Sequence, residues 1–122
     1  MSFRGLKKES RILLHVRYDL IDFFAVIRGY EGIEHLKILR GGLMIRDLVS
    51  IIASENFFGE VKYLVTYSRD LSAEWYEALK SVNREDIVVD PALPKDLEDL
   101  IFSYINIFSE IAVALRKIEN RI

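Results

Sequence analysis

Cysteine is missing altogether from these 122 residues, and proline (two), tryptophan (one) and histidine (two) are scarce. Without cysteine there is no disulfide, no thiol nucleophile and no thiolate-held metal, and the composition suits a reducing compartment. Both prolines fall in one short stretch, Asp90-Pro91-Ala92-Leu93-Pro94, which is therefore the one clear linker. Long uninterrupted apolar runs are also missing. The stretch 12–27 is broken by His15, Arg17, Asp19 and Asp22, and the stretch 100–115 by Ser103, Asn106, Ser109 and Glu110, so neither a leader peptide nor a membrane-spanning helix is expected. Nucleotide-binding and hydrolase signatures are absent too: there is no Walker loop, no G-x-G-x-x-G, no G-x-S-x-G and no H-E-x-x-H.

What is present is a chain that is 51% hydrophobic and 30% charged. That balance predicts a single folded domain over residues 1–122, soluble and cytoplasmic, with enough length to bury a core unaided. Charge is nearly balanced in total, with 17 Lys and Arg against 19 Asp and Glu for a net of -2, but it is polarised along the chain. Residues 1–46 carry nine basic and five acidic side chains (net +4), whereas residues 47–122 carry eight and fourteen (net -6). A basic face for an anionic partner and an acidic remainder for protein contacts are the corresponding expectations.

Periodicity predicts a mainly α fold, a compact bundle of four to five helices. The segment 6–28 lacks proline and glycine and is ended by Gly29, and Arg4, Lys8, Arg11, His15, Tyr18 and Asp22 recur at four- and three-residue spacing, one stripe of a helix. A short helix over 31–39 and another over 43–57 follow, separated by Gly41-Gly42. Residues 61–67 (VKYLVTY) and 86–89 are rich in β-branched side chains and suggest a small β-hairpin element, with a helix from Ser72 through Lys80 between them. The last helix, 95–121, shows a heptad seam of Leu97, Ile101, Tyr104, Phe108, Ile111, Leu115, Ile118 and Ile122, with an acidic start and a basic end that complement the helix dipole. Within the seam, Tyr104, Phe108, Ile111 and Leu115 are the candidate protein interface.

Three constellations bear on chemistry. His15 with Asp19 and Asp22, and His35 with Glu31, each place an imidazole near a carboxylate, but two ligands do not make a zinc site, and neither a metal nor any other cofactor is expected. Arg28 and His35 are separated by six intervening residues, which resembles the R-x(4–6)-H motif of HEPN-type ribonucleases. In that reading His is a general acid or base and Arg stabilises the phosphorane. Gly29 and Gly32 interrupt the helix that such a motif requires. Paired acids (Glu31/Glu34, Glu74/Glu77, Asp96/Asp99) invite comparison with magnesium-dependent helical pyrophosphohydrolases, although first-turn acids are expected on any helix. Basic side chains are the most useful polar signal: Arg4, Lys8, Arg11, Arg17, Arg28, Arg40 and Arg46 are the candidate nucleic-acid-binding residues, and Arg outnumbers Lys six to three over residues 1–46.

The stretch GGLMIRDLVSIIASENFFGEVKYLVTYSRDLSAEWYEAL (41–79), continued by DPALPKDLEDL, resembles the archaeal small subunit of type I-A CRISPR effector complexes. The resemblance implies a helical, non-enzymatic antiviral-defence subunit with no small-molecule substrate and no membrane. Its partners would be other effector subunits, copies of itself and the backbone of crRNA or target DNA. A HEPN-like ribonuclease and a helical adaptor or virion protein are the alternatives.

Overall fold

Residues 11–28 carry β-branched or aromatic side chains at many positions, and strands rather than a helix are what they form. In the computed structural model, which describes residues 10–67 and 71–119, β1 (Arg11–Tyr18) and β2 (Ile21–Arg28) make an antiparallel hairpin. The chain reverses at Asp19, whose φ of 52° lies in the left-handed region that Asp tolerates better than most residues. After Gly29 and Gly32, both at positive φ, β3 (Ile33–Arg40) returns alongside β2. The chain then runs through α1 (Ile45–Ala53), a 3-10 turn (Asn56–Glu60), β4 (Val61–Tyr67), α2 (Ser72–Ser81), β5 (Val88–Val89) and α3 (Lys95–Glu119).

The architecture is therefore a five-stranded mixed sheet in the order β3-β2-β1-β4-β5, with β4 parallel to β1 and β5 parallel to β4. The mainly α bundle of four to five helices is corrected: the helices expected over 6–28 and 31–39 are replaced, within the described residues, by β1, β2 and β3. Burial on both faces explains the misreading. Ile12, Leu14, Val16, Phe23, Ala25 and Ile27 pack toward α3, while Leu13, Phe24 and Val26 pack toward α1 and α2. A strand covered on both sides reads as a continuous apolar run, which periodicity alone does not separate from a buried helix. The β element at 61–67 and 86–89 is also corrected. β4 and β5 are parallel, because α2 intervenes as a crossover, and so they form no hairpin.

The later elements follow their patterns closely. β4 occupies the expected VKYLVTY, and α1 buries Ile45, Leu48, Val49 and Ile52 on one side. α3 buries Leu97, Ile101, Ile105, Phe108 and Ala112, a straight 3.6-residue stripe lying on a sheet. The heptad seam drifts away from that stripe along the helix, so Tyr104, Ile111 and Leu115 are only half-buried on its flank and Ile118 is 57% exposed. No helix among the described residues is long and apolar enough to cross a membrane.

Candidate functional site

Three polar side chains are buried among the described residues, His15, Asp22 and Thr66, and all three belong to one cluster. It lies toward the carboxyl ends of β1 and β4, the side of an open α/β sheet where ligands usually bind. His15 and Asp22 meet across the β1–β2 hairpin, with His15 Nε2 2.6 Å from Asp22 Oδ1. Arg17, two residues further along β1 and so on the same face, donates from Nε to Asp22 Oδ1 at 2.8 Å and from Nη2 to the Leu43 carbonyl at 2.6 Å. The other imidazole nitrogen, Nδ1, is 2.9 Å from Thr66 Oγ1 and accepts from Trp75 Nε1 at 3.2 Å. Phe24 stacks on the ring at 4.9 Å and Trp75 meets it edge-on.

The donors fix the tautomer. Indole N–H only donates, so Nδ1 is an acceptor and the proton resides on Nε2, which donates to the Asp22 carboxylate. Burial lowers the His15 pKa, outweighing the opposing pull of the Asp22 carboxylate. For Asp22, burial works toward a higher pKa, but hydrogen bonds from His15 and Arg17 prevail and hold the carboxyl below its ordinary value.

Thr66, His15 and Asp22 thus stand in the order of a nucleophile, base and orienting acid. The surroundings argue for a structural use. The imidazole is 0% exposed, and the single Nδ1 lone pair faces the Trp75 N–H as well as the Thr66 hydroxyl. A second arm of the network ties down the neighbouring backbone: Asp90 accepts from the Thr66 N–H at 2.9 Å and from the Ser72 hydroxyl. Ser72, the first residue of α2, is spent on this bond, and α2 starts without a side-chain cap.

The seven candidate nucleic-acid residues do not converge. Arg4 and Lys8 lie outside the described residues. Arg11 and Arg17 occupy opposite ends of β1, six residues or roughly 20 Å apart at ~3.3 Å per residue. Each is ion-paired within the chain, Arg11 with Glu34 at 3.2 Å and Arg17 with Asp22. Arg28 pairs with Glu31 and Glu34, and Arg40 with Glu119 at the end of α3. Arg46 is exposed on α1. The Arg28/His35 pair is divided between the end of β2 and the middle of β3. His35 stacks on Phe57 beside the Lys37–Glu55 ion pair, in a cleft of ≈ 430 Å³. Of the four candidate interface residues, Phe108 is buried, stacked on Phe23 at 5.1 Å, while Tyr104, Ile111 and Leu115 line the flank of α3. No group of three or more His, Asp or Glu is placed to hold a metal among the described residues.

The most conspicuous feature left open is one that periodicity reads as a helix. β3 is the last strand of the sheet, and Ile33, Leu36 and Ile38 are 38%, 46% and 37% exposed. They pair with Ile27, Ala25 and Phe23 of β2 and hence lie on the α3 face. α3 covers β1 and β2 from that side, and its own Ile107 and Ile118 are half exposed or more. The two-residue β5 closes the opposite edge, so the sheet has one long apolar edge and one short one. The sequence carries the signal, I-x-x-L-x-I in IEHLKILR, with bulky aliphatics crowding one side, but the same spacing suits a helical stripe. Compared with protein-family models, with curated proteins and with solved structures, the chain matches none of them.

Proposed function

We infer that the chain is a non-catalytic subunit that works by protein contact, and that its working surface is the β3 edge with the adjoining flank of α3. The observation that carries this reading is the contrast in satisfaction. The buried ionisable cluster answers its own hydrogen bonds, whereas Ile33, Leu36 and Ile38 stay exposed on a strand edge with no outer neighbour among the described residues, and Ile107 and Ile118 stay exposed on the helix that covers the same face of the sheet. Exposed aliphatic side chains along an unpaired strand edge mark an interaction surface.

A place in an RNA-guided defence complex, as the resemblance implies, would be one instance of such a role. Its helical architecture is replaced by an α/β sheet, so what supports it is the subunit character alone. Backbone contact with crRNA or target DNA would rest on Arg46, exposed on α1, and on Arg4 and Lys8, which lie outside the described residues, since Arg11, Arg17, Arg28 and Arg40 are paired with acids of their own chain. The ribonuclease alternative lacks the single helix its motif needs, because Arg28 and His35 sit on two strands.

The test is purification of the tagged full chain from its native cells after nuclease treatment, alongside a Leu36→Lys/Ile107→Lys variant. Wild type is expected to elute with a stoichiometric protein partner, either another polypeptide or an untagged copy, and the variant without it. Partners that the variant keeps, or that nuclease releases from the wild type, would overturn the reading.

A further inference from the structure

We propose that the occupant of the β3 edge is a second copy of this chain, joined antiparallel about a twofold axis at Lys37 so that the two sheets run on as one. The proposal rests on the edge being the working surface and adds the identity and register of the partner.

Register follows from which side chains share a face. Leu36 and Ile38 lie on the α3 face, and His35, Lys37 and Leu39 on the α1/α2 face. In an antiparallel pair, residues abreast must share a face, so the twofold can only pass through a residue and not between two. Centred on Leu36, it keeps one aliphatic pair, Leu36 with the copy's Leu36, and sets His35 abreast of the copy's Lys37. Centred on Ile38, it keeps only the pair of Ile38 side chains and sets Leu36 abreast of the copy's Arg40, apolar against charged. Centred on Lys37, it sets Leu36 abreast of the copy's Ile38 and Ile38 abreast of the copy's Leu36, two matched aliphatic pairs on the face where both are exposed. The two Lys37 side chains then meet at the axis, and each is already neutralised by Glu55 of its own chain. The β3 bulge opposite Val26 and Ile27 limits the pairing to residues beyond it, a short ladder that the aliphatic strip must supplement.

The flanks support the same partner. α3 lies on the face that carries Leu36 and Ile38, so the twofold brings both copies of α3, each with its exposed Ile107 and Ile118, to one side of the shared sheet. Such an interface is isologous and closes. Since β5 has only two residues, the other edge of each copy offers too little ladder for the assembly to propagate.

The chain has no cysteine, which gives a clean experiment on the full protein. Paired residues of an antiparallel ladder have Cα atoms ~4.5–5.5 Å apart, inside the range of a disulfide. Lys37→Cys should therefore cross-link to a covalent dimer under air oxidation and revert with reductant. His35→Cys should not, because the two copies of residue 35 are offset by four positions, roughly 13 Å. Sedimentation equilibrium should show a wild-type dimer and at least a tenfold weaker association for the Leu36→Lys/Ile38→Lys variant, with an unchanged far-UV spectrum. A wild type that is monomeric at hundreds of micromolar, or cross-linking at residue 35 as ready as at residue 37, overturns the proposal. If the monomer result is joined by loss of a different protein from the Leu36→Lys/Ile107→Lys variant in cell purification, the edge remains a working surface and only the second copy is rejected.

Discussion

The His15 cluster and the β3 edge are opposite solutions to the same problem. At the cluster, polar groups are taken out of water and every one of the principal atoms finds a partner: Asp22 receives His15 and Arg17, and His15 Nδ1 receives Trp75. At the edge, apolar groups are left in water beside a strand with no neighbour on its outer side among the described residues. A satisfied buried network holds one arrangement of the core, and an unsatisfied apolar edge invites another surface. Breaking the first should be costly to folding, while breaking the second should cost folding little and association much.

The largest effect is expected at Asp22. Asp22→Ala removes the carboxylate that accepts from both His15 Nε2–H and Arg17, leaving a buried donor unanswered and a part-buried cation with only the Leu43 carbonyl. Breaking a buried pair from one side typically costs ~3–5 kcal/mol. Urea unfolding should show a loss of that order, and a loss under about 1 kcal/mol would mean that the network is incidental to the core.

Acid should act on the same cluster through His15. Its pKa in the folded chain is lowered below the ordinary 6.5 by burial, so the unfolded chain takes up a proton that the folded chain refuses. Stability is therefore fully present above pH 6.5 and declines as pH falls from there toward the folded value. Protonation of Nδ1 would also set two donors, the imidazolium and the Trp75 indole, against each other. Trp75 is the one tryptophan of the chain, so its emission reports this event directly. His15→Gln should flatten the decline between pH 6.5 and 5, leaving the lower-pH loss that Asp22 contributes through its own depressed pKa. An unaltered pH profile in His15→Gln would assign the decline elsewhere.

How much of this was legible in the sequence depends on how many faces of an element are buried. α1, α2, β4 and α3 each show one apolar side, and their patterns locate them to within a few residues. β1 and β2 are buried on both faces, so the alternation that identifies a strand is erased, and the charges that remain fall by chance at helical spacing. β3 fails for the opposite reason: as an exposed edge it mixes aliphatic and charged residues on both faces, and IEHLKILR fits a short amphipathic helix as well as a strand. The polar cluster is partly legible. His15 and Asp22 share a helical stripe in the sequence, whereas their real relation is cross-strand, and Thr66 and Trp75 join them only through the parallel pairing of β1 with β4 and the packing of α2. Arg17, read as a phosphate ligand, is the residue that completes the cluster's charge balance.

The smallest effect on folding, and the sharpest separation of the two regions, is expected at Leu36. Its side chain is 46% exposed, and a surface substitution clear of buried features usually changes stability by no more than ~0.5 kcal/mol. Leu36→Lys should therefore match the wild type in urea unfolding at low micromolar concentration, where a weak dimer is dissociated. The difference should emerge with concentration. A dimer stabilises the folded state by mass action, so the wild-type midpoint should climb as protein is added while that of Leu36→Lys stays fixed. Parallel curves at every concentration would show that the exposed edge is only an edge. A large loss at low concentration would show that Leu36 serves the chain's own core, and the contrast between a closed cluster and an open edge would then fail at its simpler end.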